Sequence, residues 1–298
     1  MTYSIVARDA ATGELGVAVQ SHWFSVGSIV TWARPGVGAV ATQSIPDPGY
    51  GERLLSRLAA GESPGEALGA ELAADELARF RQVAVVDAAG RTAAHTGRSC
   101  IAYAGDADGD GYSAQANMMA SERVWPAMAG AFEASSGSLA RRLMAALEAG
   151  EEAGGDVRGR QSAAMLVVPD AGAPWQTRLD LRVEDFPEPL RELRRLIGLN
   201  EAYALADRAD EAAGEGRSAD AADLYLEAAA LAPDRLELAF WAGLGLAARG
   251  DLEEGADLLR RTIAADPAWG ELLARLDDEI VPSASAMREA LGVRRAGA

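Results

Sequence analysis

Residues 2–21 of this 298-residue chain are TYSIVARDAATGELGVAVQS. Two runs in this segment, residues 2–8 and 14–20, are rich in Val, Ile, Thr and Tyr, and the spacer between them holds Asp, Thr and Gly, which favour turns. This pattern predicts a β-hairpin. Residues 28–33 and 37–42 predict a second pair of strands around an Arg-Pro-Gly turn.

Beyond these hairpins, the hydrophobic period changes from two to about 3.6 residues and back again. Leucines spaced three and four residues apart predict helices over residues 50–60 and 64–80, and Ser63 and Glu66 have the spacing of a capping box. The other predicted elements are strands at 82–87, 91–96, 101–104, 112–118, 160–168 and 175–183 and helices at 121–134 and 138–149. Antiparallel strands with helices inserted in pairs predict an α+β fold, with two stacked sheets between outer helices.

From residue 187 onward the pattern is helical and repeats every 34 residues. Gly216 and Gly250 are one period apart, and prolines and small residues recur at the same spacing. Such a period resembles the tetratricopeptide repeat. The sequence therefore predicts two domains, residues 1–195 and an all-α tetratricopeptide-like domain at 196–298. Because two repeats are fewer than the usual three, we expect the second domain to pack on the first or on another chain.

The composition excludes several classes of partner. The chain has 28 basic residues against 45 Asp and Glu, a formal net charge of −17. It lacks the basic footprint that nucleic acid or an anionic membrane surface requires, so neither is expected as a partner. All 28 basic residues are arginine, which excludes a P-loop lysine, a lysine Schiff base and a lysine general base.

Cysteine and histidine are scarce. Cys100 is the only cysteine, so no internal disulfide is expected, and with His22 and His95 it cannot complete a structural zinc site. The acidic residues 106–111 resemble the opening of a calcium loop, but Asn117 stands where that loop needs a bidentate Glu, so we predict a hairpin turn there. We expect no metal and no cofactor. With neither a leader peptide nor a run of about 18 apolar residues, the protein is expected to be cytoplasmic.

Thr2 is the first candidate for chemistry. Met1 followed by a small residue is the context in which an initiator methionine is removed, and removal leaves a threonine with a free α-amine. Such a residue carries nucleophile and base together, because the hydroxyl attacks and the α-amine takes its proton. Alternation along the strand places Ser4 on the same face. Many proteins begin with Met-Thr, so a Thr2 without a catalytic role is the competing interpretation.

Further polar candidates lie where predicted strands meet loops, which is where sites are commonly built. Ser21, His22 and Gln43 close or follow early strands, and His22 is either a base or an ordinary surface histidine. The glycine-rich run at 154–162 is either a binding loop or a plain connection. As a binding loop it would offer polar side chains, of which the candidates are Asp156, Arg160, Gln161 and Ser162.

Several of these segments together resemble a known family. They are TYSIVARD (2–9), GELGVAVQS (13–21), WARPGVGAVATQ (32–43), RQVAVVD (81–87), QAN (115–117) and GGDVRGRQS (154–162). They are similar to domain of unknown function 1028, which is placed in the Ntn-hydrolase (N-terminal nucleophile) superfamily, over about residues 1–195. The resemblance implies a four-layer αββα sandwich, with Thr2 as the nucleophile once Met1 is removed. Proteasome-like relatives use a lysine beside the nucleophile. Here that role is empty, or is filled by His22 or an arginine.

The leading hypothesis is an Ntn-type amidohydrolase acting on a small amide-containing substrate. Thr2 would attack the carbonyl, Asn117 or backbone N–H groups would hold the oxyanion, and Arg160 and Gln161 would bind a substrate carboxylate. One alternative is a non-catalytic protein that binds a polar small ligand on the same scaffold. The other is an assembly adaptor that forms a homo-oligomer or binds a protein partner through residues 196–298.

Overall fold

The computed structural model describes residues 2–296, and its contacts divide the chain into two compact units between Ile197 and Gly198. The strands of the described residues all lie in the first unit, and the second unit is helical. No helix within residues 2–296 is long and apolar enough to cross a membrane. A cytoplasmic location stays a prediction, and Met1, whose removal the sequence predicts, lies outside the described residues.

Six antiparallel strands form the larger sheet, in the order β10-β9-β2-β1-β8-β7. They are β1 (Thr2–Arg8), β2 (Leu15–Ser21), β7 (Gly105–Gly109), β8 (Tyr112–Asn117), β9 (Ser162–Val168) and β10 (Leu179–Val183). The predicted hairpin of β1 and β2 is present, with Tyr3 opposite Gln20. β1 lies between β2 and β8, so both of its edges are hydrogen-bonded and its position in the sheet is fixed.

Four antiparallel strands form the smaller sheet, in the order β3-β4-β5-β6. They are β3 (Thr31–Arg34), β4 (Gly38–Ser44), β5 (Arg81–Asp87) and β6 (Thr92–Thr96). The second predicted hairpin is β3 and β4, but its first strand starts later than predicted because a short helix, α1 (Gly27–Val30), precedes it. A Cβ at Gly27 would lie 2.4 Å from the Cβ of Ala164. Only glycine therefore allows α1 to pack this closely on β9.

Helices cover the outer face of each sheet. α2 (Gly49–Ala59) and α3 (Pro64–Ala74) pack on the smaller sheet, and α4 (Val124–Ala134) and α5 (Leu139–Glu152) pack on the larger one. A core of mainly valine and alanine side chains lies between the two sheets. It includes Val6, Leu15, Val17, Val19, Ala39, Ala41, Ala84 and Val86. The layers are therefore helix, sheet, sheet and helix, which confirms the predicted four-layer αββα sandwich.

Side-chain alternation along β1 determines which of its residues face the smaller sheet. Tyr3 and Ile5 lie in the core under α4 and α5, whereas Val6 lies in the core between the sheets. Because successive side chains of a strand point to opposite faces, Thr2 and Ser4 also face the smaller sheet. Thr2 therefore lies between the two sheets, at one end of the sandwich.

The prediction of a strand at residues 101–104 is wrong. The strand in this region is β7, four residues further on, and it pairs with β8 through a tight turn at Gly111, whose φ is +73°. Asp106 and Asp108 lie on its exposed side, while Ala107 packs against the core. The acidic segment predicted as a turn is therefore mostly a strand whose aspartates face solvent.

The predicted start of α3 is confirmed, but its predicted end at residue 80 is wrong. Ser63 and Glu66 form the capping box, in which each side chain accepts a hydrogen bond from the other residue's backbone N–H. The helix ends at Ala74, because Asp75 has extended backbone. A separate turn of 3₁₀ helix, Ala78–Phe80, then leads into β5.

The second unit contains the last turns of α6 (Pro189–Gly214) and the helices that follow it within the described residues. These are α7 (Ser218–Leu231), α8 (Leu236–Arg249), α9 (Leu252–Ala265), α10 (Ala268–Arg275) and α11 (Ala284–Leu291). α7 and α9 begin 34 residues apart, and Gly216 and Gly250, which precede them, have positive φ. The all-α tail is confirmed, while its tetratricopeptide character and its protein partners stay predictions.

Candidate functional site

A cavity of about 160 Å³ opens at the end of the sandwich where β1 begins and β4 ends. Antiparallel pairing brings the ends of β2 and β8 and the start of β9 to the same place, since Ser21 is opposite Ser162 and Thr2 is opposite Asn117. Residues far apart in the sequence therefore line one cavity. They are Thr2, Trp23, Val26, Ile29, Val30, Gln43, Ser44, Pro46, Met118 and Arg158.

Thr2 lines the inner part of this cavity, with 5% of its surface exposed. Its hydroxyl Oγ1 donates a hydrogen bond of 3.1 Å to Ser21 Oγ. Its backbone oxygen accepts hydrogen bonds from Gln43 Nε2 at 3.1 Å and from Asn117 Nδ2 at 3.4 Å. The structure thus brings three predicted site residues, from β2, β4 and β8, into contact with Thr2, and together they fix its position.

A buried network of amide and hydroxyl groups extends from Thr2 between the sheets. Gln82 Oε1 accepts hydrogen bonds from Gln43 Nε2 at 2.8 Å and from Asn117 Nδ2 at 2.9 Å. Ser4 donates to Gln43 Oε1 at 2.8 Å, so its hydroxyl belongs to this network and does not line the cavity. Because these groups are buried, a change that leaves one of their polar atoms without a hydrogen-bond partner costs free energy.

Asp156 fixes the glycine-rich run against the end of β2. Its buried carboxylate accepts hydrogen bonds from the backbone N–H of Arg158 at 2.9 Å and of His22 at 3.0 Å. It also forms an ion pair of 3.0 Å with the Arg158 guanidinium. Arg158 lines the cavity, so this one carboxylate holds a positively charged side chain in the cavity wall.

The predicted residues His22 and Arg160 do not line the cavity. His22 Nδ1 lies 3.3 Å from the backbone oxygen of Arg160. The Arg160 guanidinium forms ion pairs with Glu151 at 2.6 Å and with Glu188 at 2.7 Å. Tyr3 donates a hydrogen bond to the same Glu151, and burial together with that carboxylate raises the pKa of the Tyr3 hydroxyl. This cluster carries its own countercharges and lies outside the cavity lining.

Gln161 and Ser162 also lie outside the cavity lining. Gln161 Nε2 donates to Asp185 Oδ1 at 3.2 Å. Ser162 Oγ donates to the backbone oxygen of Trp23 at 2.5 Å and accepts from the backbone N–H of Val26 at 3.1 Å. Trp23 and Val26 both line the cavity, so Ser162 supports the cavity wall from behind.

Strained backbone is concentrated at the cavity. The non-glycine residues with positive φ in the described chain are Ser25 (+54°), Ser44 (+75°) and Met118 (+59°). Ser44 and Met118 line the cavity, and Ser25 directly precedes Val26, which also lines it. Each such residue costs on the order of 1 kcal/mol, and this kind of strain tends to occur at functional sites. The backbone strain and the polar side chains therefore indicate the same candidate site.

The sequence did not identify the apolar wall of the cavity or two members of the polar network. The wall comes mainly from the loop and short helix after β2, which have no hydrophobic periodicity, and from Pro46 and Met118. Gln82 and Gln115 could have been found, because each is a polar residue at an inward position of a buried strand. Gln115 Nε2 donates to Ser4 Oγ at 3.2 Å.

Potential metal ligands are dispersed in the described part of the chain. Among residues 2–296, no group of three or more His, Cys, Asp and Glu side chains is arranged to hold a metal ion. The groups that meet at the cavity are instead hydroxyl, amide and guanidinium groups, from Thr2, Ser44, Gln43 and Arg158.

Comparison with known proteins identifies related chains for the first unit. The model of a family of unknown function, DUF1028, matches residues 2–193. The crystal structure of protein SPO2555 from Silicibacter pomeroyi, described by the same family model, is 34% identical, with a TM-score of 0.61 over 66% of this chain and 84% of that one. Anbu (ancestral beta-subunit) from Yersinia bercovieri is 13% identical, with a TM-score of 0.34 over 66% of this chain and 93% of that one. No curated protein matches.

Proposed function

The chain belongs to the family of unknown function DUF1028, and we propose that its cavity is the active site of an Ntn-type hydrolase that cleaves the C–N bond of a small amide. One observation carries the proposal: Thr2 lines the cavity, its hydroxyl is oriented by Ser21, and a buried polar network lies behind it. A hydroxyl nucleophile needs this combination of access for substrate and a fixed direction.

The proposed reaction begins with a processed chain. Once Met1 is removed, the α-amine of Thr2 is free, and with a reference pKa of about 8 a useful fraction is neutral near pH 7. The α-amine takes the proton of the Thr2 hydroxyl as Oγ1 attacks the amide carbonyl. The C–N bond then breaks, and the leaving amine receives that proton. Water hydrolyses the resulting ester, which releases a carboxylic acid and restores Thr2.

The neighbours of Thr2 have positioning roles in this scheme. The side-chain amide of Asn117 already donates to Thr2 O and to Gln82 Oε1, and that of Gln43 donates to the same two atoms. We therefore assign Asn117 to holding the backbone of Thr2, instead of the oxyanion role that the sequence suggested. In the resting state Ser21 Oγ accepts a hydrogen bond from the Thr2 hydroxyl and so sets the direction of Oγ1.

Hydrolysis of short-chain acyl p-nitroanilides by the full-length protein tests the proposal. Wild type is expected to release nitroaniline, and Thr2→Ala to lower the rate by about 10³-fold or more, because it removes the attacking oxygen. Thr2→Ser keeps a hydroxyl and should retain activity. Thr12→Ala, in the exposed turn between β1 and β2, is the matched control and should behave as wild type. Equal rates for Thr2→Ala and wild type would refute the proposal.

A non-catalytic ligand-binding function is the second candidate, and one observation favours it. The side-chain amides of Gln43 and Asn117 are both used to hold Thr2, so neither is offered to a developing oxyanion. On this alternative, no amide is turned over and Thr2→Ala keeps its affinity for ligand. Measuring turnover and binding on the same variant separates the two functions.

A further inference from the structure

The cavity wall is chemically divided. Six of its lining residues are apolar, and they are Trp23, Val26, Ile29, Val30, Pro46 and Met118. Arg158 is the one lining residue with a charged side chain among those described. A ligand that fits such a wall has one apolar part and one anionic group.

The size of the cavity limits the apolar part. A cavity of about 150 Å³ lined by apolar side chains takes up a molecule of the size of benzene. The present cavity, of about 160 Å³, is of that size. Trp23 is 57% exposed, so the apolar wall can be reached from solvent. The cavity therefore suits a phenyl ring or a short branched alkyl group, and not a long chain.

The position of Arg158 suits recognition of a carboxylate. Asp156 accepts hydrogen bonds from Arg158 Nε at 3.3 Å and from Nη2 at 3.0 Å, and also from the backbone N–H of the same residue. These three bonds fix the direction of the Arg158 side chain in the cavity wall. Arginine is the side chain best matched to carboxylates, with parallel N–H donors. Asp156 balances the charge of this guanidinium, so recognition of a carboxylate here depends on the N–H donors of Arg158 and not on a net positive charge of the wall.

Resting on the hydrolase function above, we propose that the substrate is a small amide that carries a carboxylate, bound by Arg158, and one phenyl-sized apolar group, bound by Trp23, Val26 and Ile29. Compounds of this class include N-acylated apolar amino acids and N-phenyl monoamides of short dicarboxylic acids. This assignment replaces Arg160, whose guanidinium is paired with Glu151 and Glu188 outside the cavity lining.

Calorimetric titration of the full-length protein with three probes tests this assignment without relying on turnover. The probes are benzoate, which has both groups, benzamide, which lacks the charge, and acetate, which lacks the ring. Benzoate is expected to bind about tenfold or more tightly than benzamide, because its carboxylate forms charged hydrogen bonds. It should also bind about tenfold or more tightly than acetate, because its ring is buried. Equal affinity for benzoate and benzamide would overturn the proposal.

Variants locate the effect. Arg158→Met should remove the preference for benzoate over benzamide, and a preference that survives this change overturns the assignment. Arg91→Met is the matched control, because Arg91 holds Asp87 by the same combination of backbone N–H and guanidinium but lines no part of this cavity. Ile29→Ala should weaken benzoate and benzamide alike, by about tenfold.

Two further variants keep the test decisive. If Arg158→Met fails to fold, Arg158→Lys retains a charge for Asp156 but not the parallel donors, and it should lower the benzoate preference. Thr2→Ala should bind benzoate as wild type does. Retained probe binding with no amide turnover in wild type would refute the hydrolase and leave the ligand class standing. Thr2-dependent hydrolysis without a preference for benzoate would support the hydrolase and refute the ligand class.

Discussion

Gln43 Nε2 donates a hydrogen bond of 3.1 Å to the backbone oxygen of Thr2, which links β4 of the smaller sheet to the first residue of β1 in the larger one. The same nitrogen donates to Gln82 Oε1, which also accepts from Asn117. The location of the Thr2 hydroxyl therefore depends on both sheets at once. A change in the polar network should be measurable in stability as well as in activity.

Replacing Gln82 by Met should destabilise the first unit. The change keeps the volume but removes Gln82 Oε1, one of the two acceptors that the amides of Gln43 and Asn117 share. It also removes the side-chain donor that lies 2.9 Å from the backbone oxygen of Ala116. We expect the free energy of unfolding in urea to fall by about 2 kcal/mol, the typical cost of unsatisfied buried groups. Activity should fall too, because Thr2 loses its support.

Gln20→Met is the matched control, and it should raise the free energy of unfolding where Gln82→Met lowers it. Gln20 is fully buried, and among the described residues neither its Nε2 nor its Oε1 has a hydrogen-bond partner. Methionine removes that unsatisfied amide at similar volume, so the free energy of unfolding should rise by about 1 kcal/mol. Equal losses in both variants would show that the network around Thr2 has no special role in stability.

Glu71→Gln should lower stability at neutral pH but not in acid. Burial on its own raises the pKa of Glu71, but hydrogen bonds from Arg53 at 2.5 Å and Arg57 at 2.7 Å outweigh it and hold the pKa below its usual value of 4.5. A depressed carboxylate pKa gives stability that is present above pH 4.5 and is lost as pH falls through the folded-state value.

Urea unfolding of wild type and Glu71→Gln at pH 7 and at pH 3 checks this dependence. At pH 7 we expect the two unfolding free energies to differ by only about 1 kcal/mol, because both arginines are partly exposed. The difference should shrink in acid, because Glu71 is then protonated in wild type. Glu52→Gln, which breaks the exposed pair with Arg34, should change the unfolding free energy by less than about 0.5 kcal/mol. A difference that grows as the pH falls would contradict the assigned ion pairs.

Gly255→Ala should destabilise the helical unit. A Cβ at this position of α9 would lie 2.6 Å from the backbone oxygen of Gly243 in α8, and backbone cannot move aside as a side chain can. Overpacking of this kind costs about 1–3 kcal/mol. At Gly198 in α6 a Cβ would meet nothing within 4 Å, so Gly198→Ala should raise stability by about 0.5–1 kcal/mol. Thermal unfolding of the full-length chain compares the two.

The rate of amide hydrolysis should rise with pH. The α-amine of Thr2 acts as a base only when it is neutral, and its reference pKa is about 8. Below that value kcat/KM should fall about tenfold for each pH unit and above it should level off. Thr2→Ser should follow the same curve, because its α-amine is retained. A rate that stays constant between pH 6 and 9 would exclude the α-amine as the base.

The first hairpin and the layer order could be predicted because they follow from local rules. The alternation in residues 2–8 gives a strand with one face of Thr2, Ser4 and Val6, and pairs of helices between strands indicate outer layers. The sequence contains a pattern that would have predicted β7 at its correct position. Gly105–Gly109 alternates small and acidic residues with period two, which describes an edge strand better than a turn.

The apolar wall and the role of Arg158 could not be predicted, because they depend on tertiary pairing. Trp23 and Arg158 are 135 residues apart and line one cavity only because β2 and β9 are neighbours. The sequence alone does not distinguish Arg158 from Arg160, because both lie in the same glycine-rich run. In the structure, Glu151 and Glu188 hold Arg160 in an ion-pair cluster. Asp156 holds Arg158 in the cavity wall.

The most direct test of the central claim is tandem mass spectrometry of the purified full-length protein after treatment with a small sulfonyl fluoride, which reacts with activated hydroxyl groups. Thr2→Ala, which keeps a small residue after Met1, is the control and should not be labelled at the chain start. The account predicts a wild-type chain that lacks Met1 and carries one adduct, on the Thr2 hydroxyl. A chain that keeps Met1 and still hydrolyses amides, or an adduct on another residue with Thr2 unmodified, would contradict it.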